Sequence, residues 1–182
     1  MSSPARSVEL LVLGLGNVLC GDDGLGPAVV DRLDRDWSLP EGCSALDGGT
    51  LGLSLLPVVE DARRVILVDA VRLDAAPGTL VRLEGEAVGS AVRDRLSVHQ
   101  IGVADLVDAL RLRGRLPEEL VLIGAVPGSL AVALGLSPAV DAALPGVLDG
   151  VVAEAARLGF PCRRRDPQES RRAPHARALF GL

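Results

Sequence analysis

The sequence predicts an α/β fold: a single three-layer domain with a mostly parallel five-stranded sheet, one antiparallel strand and helices on both faces. Short apolar runs rich in Val, Ile and Leu alternate along the chain with longer segments of helical periodicity, which is typical of parallel sheets. The length of 182 residues suits one domain, and 48% of the residues are hydrophobic. One connection between strands is too short for a parallel crossover, which predicts the antiparallel strand.

The first strand and the first helix have clear signals. Residues 8–13 form a nearly continuous apolar run that stops at Gly14, as expected for a strand buried on both faces. Pro27 stands where a first helical turn begins, and apolar residues recur at helical spacing from there to Trp37. The next predicted elements are a strand over 43–46, a short helix from about Leu51 that is stopped near Pro57, and a strand over 64–69.

The second half of the chain completes the sheet. The strands over 64–69 and 79–83 are separated by only about nine residues, so we expect these two strands to pair antiparallel with each other. A capping box that begins at Ser97 predicts a helix to about Leu112. The remaining elements are a strand over 119–125 and a last helix from Pro138 to about Gly159, interrupted around Pro145-Gly146.

The end of the chain differs in composition from the rest. We expect residues 1–160 to form the domain and residues 161–182 to form an Arg-rich, flexible tail. This tail carries six arginines against Asp166 and Glu169 and has little apolar periodicity. An alternative is that its positive charge contacts an acidic partner.

The composition excludes several classes of function. The net charge is −5 and only 2% of the residues are aromatic, so we expect binding to neither nucleic acid nor an anionic membrane. All 19 basic residues are arginines, which excludes a P-loop lysine and Schiff-base chemistry. The three cysteines form no C-x-x-C pair, and no apolar stretch approaches the ~20 residues of a membrane span. We therefore expect a reduced, cytoplasmic protein.

Candidate functional residues fall where strands end, since open α/β sheets bind ligands beyond the carboxyl ends of their strands. The glycine-rich loop 14–26 contains Asp22 and Asp23. The alternative role of these acids is to stabilise the following helix N-terminus, for which one acid suffices, and the second, Asp23, has room to reach a ligand. Asp69 ends a strand, with turn formation as the alternative role, and His99 lies in the first turn of its helix, with packing or surface exposure as the alternative.

These residues favour one kind of chemistry over others. A helix N-terminus keeps imidazole neutral, and two carboxylates with one imidazole suit a divalent first-row metal with open coordination positions. Dinucleotide binding is disfavoured because Leu19 stands where the third glycine of the fingerprint is required. Cys20 as a nucleophile is also disfavoured, since only His99 is available as its base.

Four motifs in order resemble the nickel–iron hydrogenase maturation endopeptidases. They are G-L-G-N-V-L-x-G-D-D-G-L-G at 14–26, D-G-G-T at 47–50, V-I-L-V-D-A at 65–70 and S-V-H-Q-I-G at 97–102. The likeness runs from about Val8 to Gly159. It implies an endopeptidase that removes the C-terminal extension of a hydrogenase large-subunit precursor after nickel insertion.

The resemblance also implies roles for particular residues. Asp23, Asp69 and His99 are the implied catalytic and metal-contacting trio, and Asp47-Gly48-Gly49-Thr50 is the implied substrate-recognition loop. No tightly bound cofactor is expected, because the substrate precursor contributes the nickel. The alternative is a non-proteolytic nickel-binding or assembly factor for the same subunit, and in either case we expect a monomer.

Overall fold

The computed structural model describes residues 6–93, 98–166 and Glu169, and over 90–93 and 98–103 it describes the backbone only. Seven strands and five helices lie in these ranges. The strands are β1 (Val8–Leu15), β2 (Trp37–Ser38), β3 (Cys43–Gly49), β4 (Ala62–Ala70), β5 (Leu80–Glu84), β6 (Glu119–Ala125) and β7 (Arg163–Arg164). The helices are α1 (Leu25–Asp36), α2 (Leu56–Glu60), α3 (Glu86–Arg93), α4 (Val98–Leu112) and α5 (Pro138–Arg157).

Five strands form one sheet in the order β3-β1-β4-β6-β5, and all pairs are parallel except β5 with β6. Helices α1 and α5 pack on one face, where the core includes Val12, Leu33 and Val151. Helices α2, α3 and α4 cover the other face. The predicted fold class is therefore confirmed. Among the described residues, no helix is long and apolar enough to cross a membrane.

The predicted partner of β5 is wrong. Strand β5 runs antiparallel to β4, as expected, but β6 lies between them, and β5 pairs with β6 at the edge of the sheet. Burial explains this order. The last five residues of β6 are all buried, as in a central strand, whereas β5 has only Val81 buried and so suits an edge.

Two prolines predicted to break helices do not. Pro57 lies in the first turn of α2, where its missing N–H costs no hydrogen bond, and the helix continues to Glu60. Pro145 lies inside an uninterrupted α5. Its ring removes the helical donor to the Asp141 carbonyl. Asp141 and Pro145 are both exposed, so water can take the place of that donor. Helix α3 was not predicted, and the predicted capping residue Ser97 lies outside the described residues.

The first residues of the Arg-rich segment belong to the fold. Strand β7 pairs antiparallel with β2, the Arg165 side chain donates to the Trp37 carbonyl at 2.9 Å, and the Arg164 guanidinium lies 5.9 Å from the Trp37 ring centroid. Residues 163–165 of the predicted tail over 161–182 therefore contact the domain, and the boundary at residue 160 stays a prediction. Because α1 starts after β1 and runs back along the sheet, this attachment is at the amino edge, opposite the candidate site.

Candidate functional site

Asp22 joins two distant loops at the carboxyl edge of the sheet. Its side chain is fully buried, and its carboxylate accepts four hydrogen bonds. Its Oδ2 atom accepts from Gly128 N at 2.7 Å, Ser129 N at 3.0 Å and Ser137 Oγ at 2.9 Å, and its Oδ1 accepts from Ser137 N at 2.6 Å. Burial works to raise the pKa of Asp22, but these hydrogen bonds outweigh it and hold the pKa below its usual value.

Neither Asp22 nor Asp23 caps a helix, which is the alternative role that the sequence suggests. No side chain caps α1 or the 3₁₀ turn at Gly21–Gly24 that contains both acids. The carboxylate of Asp22 anchors the β6–α5 loop to the β1–α1 loop instead. Asp22 is thus a structural residue, and of this pair Asp23 stays the predicted site residue.

Asp23 is buried at the carboxyl end of β1. Its side chain is fully buried, and its Oδ2 accepts a hydrogen bond from Asn17 N at 2.7 Å. The backbone of Gly16 passes so close that a Cβ there would lie 1.8 Å from the Asp23 carbonyl oxygen. Gly16 also has a φ of 127°, which L side chains rarely adopt. A side chain at position 16 would therefore displace Asp23.

Asp69 lies at the carboxyl end of β4, the strand next to β1. It is the penultimate residue of β4, is 2% exposed and pairs in register with Gly124 of β6. A Cβ on Gly124 would lie 1.8 Å from the Asp69 carbonyl oxygen. The turn that holds Asp23 packs against β4, so two buried carboxylates lie at the carboxyl ends of adjacent strands.

Glycine brings the start of α1 onto these strand ends. A Cβ on Gly26 would lie 2.2 Å from the carbonyl oxygen of Leu15 and 2.4 Å from that of Val68. A Cβ on Gly14 would lie 2.6 Å from the carbonyl oxygen of Gly26. The spacing of glycines in the loop thus reflects close backbone packing, and it places the acidic turn over both strands.

His99 is the second residue of α4, and its side chain is outside what the structure describes. The backbone of α4 can be oriented. Beyond its last residue, Arg113 pairs with Glu60, and the Arg115 guanidinium donates to the Glu60 carbonyl at 2.9 Å, next to the start of β4. Helix α4 is about 22 Å long, so its first turn is directed toward the carboxyl edge. The contact of His99 with the acids stays a prediction.

Asp47, Gly48 and Gly49 are the last three residues of β3, and Thr50 follows them in a turn. The Asp47 Oδ1 atom accepts from Gly49 N at 2.9 Å, and Gly49 O accepts from Gly16 N at 3.0 Å. Gly48 is buried, and a Cβ there would lie 2.9 Å from a Leu13 methyl. Asp47 and Gly49 are partly accessible and Thr50 is exposed, so a ligand can reach these three but not Gly48.

Two grooves flank the buried acids. The larger has a volume of about 390 Å³ and contains Asp31 and Asp47, with Val18 and Leu136 in its wall. The second has a volume of about 290 Å³, lies between the β4–β5 and β6–α5 connections, and contains Arg72. An extended peptide that crosses this edge passes from an acidic groove to a basic one.

Among the side chains that the structure describes, no three from His, Cys, Asp or Glu converge as a metal-ligand set. The three cysteines are free thiols. Burial raises the pKa of Cys43 to about 11 and also raises that of Cys162, so both are neutral thiols at pH 7. Both pack against the core, as small apolar residues do.

Comparison with known proteins identifies the family. A family model described as hydrogenase maturation protease matches residues 27–154, a range that includes Asp69 and His99 but not Asp23. The hydrogenase 2 maturation protease of Escherichia coli is 38% identical over 160 residues, covering 87% of this chain and 98% of the relative. The HupD hydrogenase expression/formation protein of Rhodobacter capsulatus is 41% identical over 157 residues, covering 85% of this chain and 73% of the relative.

Solved structures agree with the sequence relatives. The hydrogenase maturating endopeptidase HybD from E. coli superposes with a TM-score of 0.83 at 36% identity, covering 87% of this chain and 98% of that one. The hydrogenase 2 maturation peptidase from Thaumarchaeota archaeon SCGC_AB-539-E09 gives a TM-score of 0.63 at 38% identity, covering 82% and 99%. The chain therefore belongs to the hydrogenase maturation protease family and is a peptidase.

Proposed function

We propose that this peptidase removes the C-terminal extension of a nickel–iron hydrogenase large-subunit precursor after nickel insertion, and that Asp23, Asp69 and His99 recognise the substrate's nickel. The observation that carries the proposal is the pair of buried carboxylates at the carboxyl ends of β1 and β4. Carboxylates that are shielded from bulk water interact strongly with a cation brought to them. The metal belongs to the substrate, so its arrival signals a loaded precursor.

The trio is suited to a metal already held by another protein. Two carboxylates and one imidazole leave coordination positions for the ligands of the precursor. The acidic groove with Asp31 and Asp47 and the basic groove with Arg72 provide places for the chain on either side of the scissile bond. Asp47, Gly49 and Thr50 are the accessible members of the segment 47–50, and we expect them to contact the precursor.

Cleavage requires a nucleophile and a proton acceptor. In one version, a water polarised by the substrate's nickel attacks the carbonyl carbon, while Asp23 or Asp69 takes its proton. The C–N bond then breaks, and the leaving nitrogen takes up a proton. In the other version, one of the two carboxylates attacks the carbonyl carbon directly, and the C–N bond breaks as the leaving nitrogen takes up a proton. Water then hydrolyses the anhydride that has formed and restores the carboxylate.

The test is an intact-mass measurement on a large-subunit precursor from the same cell, produced with nickel and the wild-type protein. We expect a loss of mass confined to the C-terminus, and no loss with Asp69→Asn. Asp74→Asn is the matched control, because Asp74 is exposed in the loop that follows the same strand. Cleavage that persists in Asp69→Asn contradicts the assigned site.

The role of nickel needs a separate comparison. Nickel-loaded and nickel-free precursors are incubated with the wild-type protein, and their rates of cleavage are measured by mass. We expect cleavage of the loaded precursor only, and equal rates refute nickel recognition. Nickel-dependent binding with no change of mass in any sample indicates instead the assembly-factor alternative.

A further inference from the structure

Four large apolar side chains project into water beside the candidate site. Val18 is 54% exposed, Leu19 55%, Val132 88% and Leu134 83%. We call these four residues the apolar rim. The first two belong to the β1–α1 loop and the other two to the β6–α5 loop, both of which follow carboxyl ends of strands. Contiguous exposed apolar residues of this kind mark interaction sites on soluble proteins.

Hydrogen bonds hold the apolar rim in place. Ala133 N donates to Leu19 O at 3.0 Å, and Gly21 N donates to Ala133 O at 2.9 Å, so the two loops form one short parallel bridge. The buried Asp22 carboxylate fixes the β6–α5 loop on the other side of this bridge, through Gly128, Ser129 and Ser137. The rim is therefore presented on a fixed backbone, and docking on it requires little ordering of these loops.

The apolar rim is continuous with the candidate site. Val18 is also part of the wall of the acidic groove, next to Asp47 and Gly135. Asp23 follows Leu19 by four residues and is buried behind the same loop. Three more exposed leucines lie in the loops after β3 and β4 at this edge: Leu51, Leu53 and Leu73. A partner that covers the rim is therefore positioned to deliver a segment of its chain into the groove.

We propose that the apolar rim docks on an apolar patch of the folded body of the protein substrate, outside the segment that is cut. This inference rests on the proposed function, and it assigns affinity for the precursor to residues that take no part in cleavage. An anionic membrane is a poorer occupant, because Asp31 and Asp47 lie beside Val18 and the chain carries a net charge of −5. A second copy of this protein is also a poorer occupant, because it would cover the groove that the substrate must enter.

The test uses the double variant Val132→Ser/Leu134→Ser and the control Leu112→Ser. Leu112 is 89% exposed, but it ends α4 and lies away from the carboxyl edge. Since all three side chains are already in water, we expect all variants to keep the wild-type thermal midpoint. Processing of nickel-loaded precursor is measured by mass over a range of precursor concentrations. We expect the double variant to raise KM roughly tenfold or more with kcat unchanged, and the control to match wild type.

Binding is measured separately so that the two proposals can be distinguished. Asp69→Asn, with and without the rim substitutions, is titrated with nickel-loaded precursor, and binding is followed calorimetrically without cleavage. Weaker binding by the rim variant supports the docking role even where no processing occurs. Unchanged KM and unchanged binding overturn it, as does a fall in kcat alone. Rim-dependent flotation with phosphatidylserine vesicles, or a rim-dependent dimer in sedimentation, also overturns it in favour of a membrane or a second copy.

Discussion

The substitution Asp22→Asn tests how the two loops of the site are held together. Asparagine has nearly the same shape as aspartate but only one acceptor oxygen. With that oxygen in the Oδ2 position, three hydrogen bonds remain, from Gly128, Ser129 and the Ser137 hydroxyl. The asparagine NH₂ group then faces Ser137 N, which is 2.6 Å from Oδ1 in the wild-type protein. Two donors meet there, and one buried hydrogen bond is lost.

The size of the effect follows from these contacts. A hydrogen bond to a charged group contributes about 1.5–3 kcal/mol, and the three that remain are weakened when the charge is removed. We expect a loss of roughly 3 kcal/mol in the free energy of unfolding. For a chain of this length, that loss lowers the thermal midpoint by about 6–12 °C. The matched control Asp74→Asn changes an exposed acid and should leave the midpoint in place.

The pH dependence gives an independent check. Hydrogen bonding holds the pKa of Asp22 in the folded protein below its unfolded value, despite the opposing effect of burial. Its stabilising effect is therefore fully present above the unfolded pKa of about 3.9 and is lost as the pH falls through the folded pKa. Calorimetry measures the thermal midpoints of the wild-type protein and Asp22→Asn at pH 7 and at about pH 3. We expect the difference between the two midpoints to be smaller at the acid pH. Equal midpoints at pH 7 would refute the anchoring role of the carboxylate.

Three further changes test other parts of the structure. Arg82→Met removes a bidentate partner from the buried Glu154 carboxylate. Because Arg82 is 42% exposed, we expect a loss of only about 1–2 kcal/mol in urea unfolding. This pairing lowers the pKa of Glu154, so the loss should appear at pH 7 and decline below about pH 4. An equal loss at both pH values would contradict the ion pair. Gly16→Ala should abolish processing and lower the thermal midpoint. Gly159 also has a positive φ, but a Cβ there would have nothing within 4 Å. The control Gly159→Ala should therefore retain activity and lose about 1 kcal/mol of unfolding free energy. Truncation after Gly159 removes β7 together with Phe160 and Cys162, which pack against the core. It should lower the thermal midpoint by more than truncation after Asp166, which keeps β7 and removes only the exposed Glu169 partner of Arg163 among the described residues. Equal midpoints for the two truncations would show that β7 does not stabilise the fold.

The strands of the sheet could be predicted from sequence because their signal is local. The apolar runs at 8–13, 64–69 and 119–125 are nearly continuous, and β1, β4 and β6 contain them. Strand order depends on contacts between distant residues, and the short connection before β5 indicated only its direction. Nothing in that connection showed that β6 would lie between β4 and β5.

The roles of the adjacent acids were only partly predictable for the same reason. The sequence predicts that one of Asp22 and Asp23 is structural and the other functional. From the sequence, the structural role to consider is helix capping, because capping is a local interaction. The donors that Asp22 binds are 106 to 115 residues away in the chain, so no local pattern reveals them. The exposed Val132 and Leu134 were missed because exposure, unlike periodicity, depends on the completed fold.

The glycines of the site connect the sequence motif to the burial of the acids. Gly16 and Gly124 each allow a backbone to pass against the carbonyl of an acidic residue, and Gly26 lets α1 rest on the ends of β1 and β4. Larger residues at these positions would open the edge of the sheet and let water reach Asp23 and Asp69. A solvated carboxylate interacts weakly with a cation, since water screens the charge. Under the proposed function, the glycines therefore preserve the discrimination between loaded and unloaded precursor. The same packing fixes the loops that carry the apolar rim, so substrate docking and metal recognition depend on one rigid edge.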